Sequence, residues 1–104
     1  MKPIGTHNYF VYITTNQNKT VLYIGVTNNL SARLLQHQQN AAPYTHNSFA
    51  GKYNAYCLLY YERFGQIEHA IEREKELKGW RRSKKEELIN SFNPDWRFLN
   101  DEIE

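Results

Sequence analysis

Hydrophobic and polar positions follow two different periods along this chain, and the changes of period mark out its elements. "YFVYITT" (residues 9–15) and "TVLYIGV" (20–26) are dense in β-branched and aromatic side chains, so both predict strands. "NQNK" between them is turn chemistry. A turn centred on Gln17 and Asn18 would set Tyr12 directly opposite Tyr23, with both rings on one face of the hairpin. "AYCLLYYERF" (55–64) predicts a third strand of the same kind.

Helical spacing takes over between and after these strands. "TNNLSARLLQHQQ" predicts a helix with Asn28 or Asn29 as its N-cap, and it gathers Leu30, Arg33, Leu34 and His37 into one narrow sector. Arg33 and His37 stand four apart and are therefore neighbours on that face. "NAAPYTHNSFAGK" (40–52), with Pro43 and Gly51, reads as a loop. A second helix begins at Ile67 and carries Ala70, Ile71 and Leu77 on one face, until Gly79 breaks it. The place between Ile71 and Leu77 on that face should be apolar, yet it holds Glu74, while Glu68, Glu72 and Glu76 point elsewhere. "RRSKKEELINSF" forms a last helix that Asn93-Pro94 ends. The order β-β-α-β-α-α predicts an α/β fold, a three-stranded, mainly antiparallel sheet flanked by helices.

Composition narrows the possibilities. At 104 residues the chain suits one domain spanning 1–104, with a structured core over about 9–95. A single cysteine, Cys57, excludes an internal disulfide and a cysteine-based zinc cage. No apolar run has signal-peptide or membrane-spanning character, which makes the cytoplasm the expected location. The net charge of +2 is unevenly spread: residues 1–61 hold no Asp or Glu against four basic residues. Residues 73–85 hold seven of the thirteen Lys and Arg. Lys78, Arg81, Arg82, Lys84 and Lys85 around Trp80 could therefore hold a nucleic-acid backbone, or could simply be a solvated helical face. The last ten residues carry Asp95, Asp101, Glu102 and Glu104, an acidic end expected to fray.

Glu74 raises the sharpest chemical question. An ionised carboxylate aimed inward requires a cation, a set of hydrogen bonds or a proton. Arg33 or another basic side chain could pair with it. So could a hard divalent ion such as magnesium, which accepts one or two protein carboxylates and fills its remaining positions with water and phosphate. With no acid before residue 62, any carboxylate ligand must come from the second half of the chain. Taken singly, Tyr12, Tyr23, Arg33 and His37 are ordinary packing or surface residues; their combination with Glu74 is not ordinary.

That ordered set resembles the GIY-YIG nucleases. Tyr23-Ile24-Gly25 is the second half of the signature unaltered, and Phe10-Val11-Tyr12 stands at the first half, keeping only its tyrosine. "GVTNNLSARLLQH" and "AIEREKELKGWRRSKKEELI" look like the two later blocks, so the likeness covers roughly residues 9–95, to a branch of small single-domain bacterial predicted endonucleases. The resemblance implies catalytic roles for Tyr12, Tyr23, Arg33 and His37, with Glu74 binding the metal. It also implies a late asparagine, for which Asn93 is the candidate with Asn90 close by. Gly25, lacking Cβ at the end of a strand, would let backbone or phosphate approach closely. The implied reaction is hydrolysis of DNA phosphodiesters with Mg2+ or Mn2+, with DNA and a targeting protein as partners and DNA repair or recombination as the setting. A tyrosine, Tyr12 first, would deprotonate the water. Free tyrosine has a pKa near 10, so the site would have to lower it, helped by His37 or the metal. The rival reading is a nucleic-acid-binding module of the same fold without independent catalysis.

Overall fold

The computed structural model describes residues 8–40 and 55–103. Three strands, β1 (Tyr9–Thr15), β2 (Leu22–Thr27) and β3 (Cys57–Phe64), form an antiparallel sheet in the order β2-β1-β3. Helices α1 (Leu30–Asn40), α2 (Ile67–Lys78) and α3 (Arg82–Phe92) follow the predicted order, and a short 3-10 turn (Asn100–Ile103) comes last. No described helix is long and apolar enough to cross a membrane.

Strand alternation separates two apolar layers, one on each face of the sheet. Val11, Ile13, Ile24, Leu59 and Tyr60 pack against Ala70 and Leu77 of α2 and Ile89 of α3. Tyr12 and Leu58 point to the other face and meet Leu30 and Leu34 of α1, with Leu99 beside them. The central strand is therefore buried continuously from Val11 to Thr15. Asn29 is the residue that caps α1, its side-chain oxygen accepting the Ala32 N–H at 3.1 Å.

The hairpin register differs from the predicted one by two residues. Tyr12 lies opposite Gly25, and Tyr23 lies opposite Thr14. The connection is longer than a two-residue turn because Asn16 folds it inward: its side-chain oxygen accepts the Thr20 N–H at 2.8 Å and the Val21 N–H at 3.3 Å. Lys19 takes a left-handed conformation there, at φ 58°. A slip of two keeps every side chain on its face, so Tyr12 and Tyr23 still share one.

β3 carries a bulge. Ile13 pairs with Tyr60 but Thr14 pairs with Leu58, which leaves Leu59 unmatched. Asn93 stabilises that irregularity. Its side-chain amide donates to the Leu59 carbonyl at 3.1 Å and to the Arg97 carbonyl at 2.8 Å, and its oxygen accepts the Arg97 N–H at 3.1 Å. The acidic C-terminal segment is not frayed up to Ile103, contrary to expectation. Leu99 is buried and donates its N–H to the Leu58 carbonyl at 2.8 Å, while the Asn100 side chain bonds the Leu58 N–H and the Tyr56 carbonyl, each at 2.8 Å. Backbone groups along the outer edge of β3 are thus covered, which removes a template for edge-to-edge pairing.

Candidate catalytic site

Tyr12 is the centre of the site, and the strand pairing explains how it is held. Its side chain is 1% exposed and lies across the backbone of Gly25 on the neighbouring strand. A Cβ at position 25 would meet Tyr12 Cζ at 2.5 Å and Cε2 at 3.0 Å, with the hydroxyl closer still. Gly25 therefore makes room for the Tyr12 phenol rather than for backbone or phosphate. Tyr23 stands diagonally across the hairpin, its ring centroid 6.3 Å from that of Tyr12 at an interplanar angle of 43°, and it is partly open to solvent.

Two charged side chains reach this pair from separate helices. Arg33 projects from the first turns of α1, one residue before the buried Leu34 that anchors the helix. Its guanidinium is half-buried and makes no hydrogen bond or ion pair among the described residues. Glu74 comes from α2, on the stripe between the buried Ala70 and Leu77. Its side chain is 17% exposed, so the inward aim read from the helical spacing is realised. Its partner among the described residues is the more exposed Lys78, one turn on, at 3.3 Å.

Burial pushes the Tyr12 phenol well above the usual tyrosine range. Tyr23 and Glu74 add to that rise, and the Arg33 charge opposes it. Tyr23, Arg33 and Glu74 are thus all close enough to act on one hydroxyl, although they come from a strand and two helices. The direction is opposite to the lowering that a base at Tyr12 requires, since desolvation outweighs the arginine.

The remaining predicted residues are divided. His37 lies on α1, but its side chain falls outside the described residues, as does most of the 40–52 loop. Asn93 does not offer its amide to the site, because both amide hydrogens are held by backbone carbonyls. Asn90 is exposed on α3.

The basic run is partly structural. Arg82 donates to the Thr20 carbonyl at 2.7 Å and the Lys19 carbonyl at 3.1 Å, and pairs with Glu86 at 2.8 Å, tying α3 to the β1–β2 turn. Trp80 is half-buried between Arg73 and Lys84, whose charges lie 5.3 Å and 4.2 Å from its ring. Arg81 and Lys85 make no ion pair among the described residues. Sequence reading passed over two things here. The Lys78–Glu74 pair was visible as an i, i+4 spacing. The Glu62–Arg73 bridge at 2.9 Å, joined to Tyr60 and Glu76, spans β3 and α2 and had no local signal.

Among the described residues no group of three or more His, Cys, Asp or Glu could hold a metal. A divalent ion at this site would therefore have Glu74 as its protein carboxylate, with water and substrate oxygen completing the shell. Magnesium accepts that donor set readily; a site needing several protein ligands is not provided among the described residues.

The comparisons agree with this fold. The chain is 32% identical over 83 residues to a UPF0213 protein of the archaeon Natronomonas pharaonis, covering 79% of this chain and 91% of that one. It also superposes on the solution NMR structure of a UPF0213 protein from Bacillus halodurans with a TM-score of 0.54 and 26% identity, covering 88% of this chain and 93% of that one. Residues 8–87, from just before β1 into α3, match the model of the GIY-YIG catalytic domain, and the chain belongs to the GIY-YIG family.

Proposed function

We propose that this protein is a metal-dependent endonuclease that hydrolyses DNA phosphodiester bonds. The observation that carries the reading is the pairing of the Tyr12 and Tyr23 rings, 6.3 Å apart, with Arg33 and Glu74 near enough to act electrostatically on the buried Tyr12. A guanidinium with no hydrogen bond or ion pair among the described residues, beside two phenols and a half-buried carboxylate, suits a phosphodiester. Arg33 offers its planar fork to the non-bridging oxygens and to the charge that grows on them in the transition state. Glu74 would hold Mg2+ or Mn2+, which as a Lewis acid stabilises the leaving 3′ oxygen. Lys78 gives up its carboxylate partner when a divalent ion binds there.

Burial redistributes the tyrosine roles. Tyr12, kept neutral, donates a hydrogen bond that orients water or phosphate. Tyr23, partly open to solvent, is the better candidate for accepting the proton of the attacking water. The exposed Arg81 and the half-buried Lys85 would hold the backbone of the nucleic acid beside the site, independently of sequence. A separate protein partner would supply the choice of target.

The test is incubation of the purified protein with plasmid and with branched or flapped DNA, with and without Mg2+. Cleavage that requires Mg2+ is expected, and Glu74→Ala should abolish it. Its effect on stability should be under about 1 kcal/mol, because the lost ion pair has an exposed partner. Intact DNA with salt-sensitive binding would instead support a binding module of the same fold.

A further inference from the structure

Beside Arg33 lies a shallow cleft of about 370 Å³, lined by Thr27, Asn28, Asn29, Ala32, Leu35 and Gln36 along with Arg33 itself. We propose that this cleft holds the nucleobase of a nucleotide whose phosphate sits on Arg33, reading its edge through the amides of Asn28 and Gln36. The inference rests on the nuclease reading for the position of the phosphate, and adds a base-specific subsite to it.

The lining decides between a base and a second phosphate. Among the described residues that line it, Arg33 is the one that is charged. A further phosphate would call for a further cation, since backbone contacts are dominated by Lys and Arg. What the cleft offers instead is neutral: side-chain amides, which present a donor and an acceptor together, and apolar carbon. Asn and Gln match base edges in this way, adenine most closely. Leu35 supplies the carbon. It is 56% exposed on a helix whose other leucines, Leu30 and Leu34, are 5% exposed, so packing among the described residues does not explain its position. A flat base laid against Leu35 and Ala32 would cover it.

Availability points the same way. Asn29 is engaged in capping α1 and Thr27 bonds the Asn29 backbone at 3.1 Å, but the amides of Asn28 and Gln36 make no hydrogen bond among the described residues. Both are exposed, and neither supports the fold. The volume is at the low end of the roughly 300–1,000 Å³ that small ligands occupy, which suits one nucleotide rather than a duplex.

The experiment is a two-dimensional NMR titration of the full chain that follows the Asn28 and Gln36 side-chain amides and the Arg33 Nε–H. The probes are the four deoxynucleoside 5′-monophosphates and deoxyribose 5-phosphate. All five should move the Arg33 signal, and at least one nucleotide should also move both amides while the sugar phosphate does not. Asn28→Ala with Gln36→Ala should weaken binding of that nucleotide about tenfold, to the level of the sugar phosphate. If the sugar phosphate and the nucleotides move Arg33 equally and leave the amides unmoved, the base subsite is refuted while the phosphate site stands. Silence at Arg33 with every probe would overturn both.

Discussion

Replacing Gly25 by alanine tests the central contact of the site. The added methyl would stand 2.5 Å from Tyr12 Cζ and nearer still to its hydroxyl, well inside van der Waals contact. A tyrosine ring does not compress, and this one is 1% exposed with Leu30, Leu34 and Leu58 in the same layer, so it has no open space to turn into. Overpacking of this kind costs about 1–3 kcal/mol. Removing a strand glycine returns roughly 0.5–1 kcal/mol through the unfolded state, which leaves a net loss of about 1–2 kcal/mol. Urea unfolding followed by tryptophan fluorescence would read it as a lower midpoint at unchanged m.

A double-mutant cycle isolates the cause. Tyr12→Leu removes the atoms that the methyl strikes, so Gly25→Ala should be neutral or slightly stabilising in that background, a coupling of about 1–3 kcal/mol. In the otherwise wild-type chain, a phenol displaced by part of an ångström should also slow DNA cleavage by roughly 10- to 100-fold. An unchanged urea midpoint for Gly25→Ala, or a coupling below about 0.5 kcal/mol, would refute the claim that the Tyr12 ring lies across this glycine.

Asn93→Ala should destabilise the chain by about 1–3 kcal/mol, because it strips three hydrogen bonds from backbone groups at the β3 bulge and after α3; Asn93→Asp, which keeps the acceptor and loses both donors, should not restore the loss in urea unfolding. The raised Tyr12 pKa has a defined sign: from about pH 10 upward the unfolded chain releases a phenolic proton that the folded chain keeps, so stability falls as pH rises. Tyr60, raised by burial and by Glu62, adds to that slope, and Tyr12→Phe should make the slope shallower without removing it, as thermal melts at stepped alkaline pH would show. Asn100→Ala should lower stability by about 1–2 kcal/mol and accelerate hydrogen exchange at the Leu58 amide, whose acceptor it removes.

The elements were legible because each is encoded locally. Runs of β-branched and aromatic residues marked the three strands, the Asn28-Asn29 pair and Gly79 bounded their helices, and the gap that Glu74 makes in the apolar stripe of α2 foretold a half-buried carboxylate. Tyr12 and Tyr23 were placed on one face correctly, and wrongly opposite one another, for the same reason. Face depends only on parity along each strand, whereas register depends on how many residues the turn absorbs. Asn16 decides that number through a side-chain bond to residues four and five further on, and turn propensities do not encode it.

What the sequence could not show lies between elements. The basic run after Lys78 looked like one nucleic-acid surface, but the positions of β1–β2 and α3 turn Arg82 into a tether and set Lys84 over Trp80. The acidic end looked like a tail, since Leu99 and Asn100 acquire their partners only when β3 presents an open edge. The same logic governs the site. The clefts described are lined mainly by α1, the strand ends and the C-terminal turn rather than by Tyr12, Tyr23 and Glu74. Tyr12 and Tyr23 come from a hairpin, Arg33 from α1 and Glu74 from α2, so their meeting depends on both layers of the sheet at once. An open site of that kind suits a polymer laid across it better than a small molecule enclosed within it. A change that only shifts α2 against the sheet, and Glu74 with it, should therefore impair the proposed chemistry with every site residue still present in the sequence.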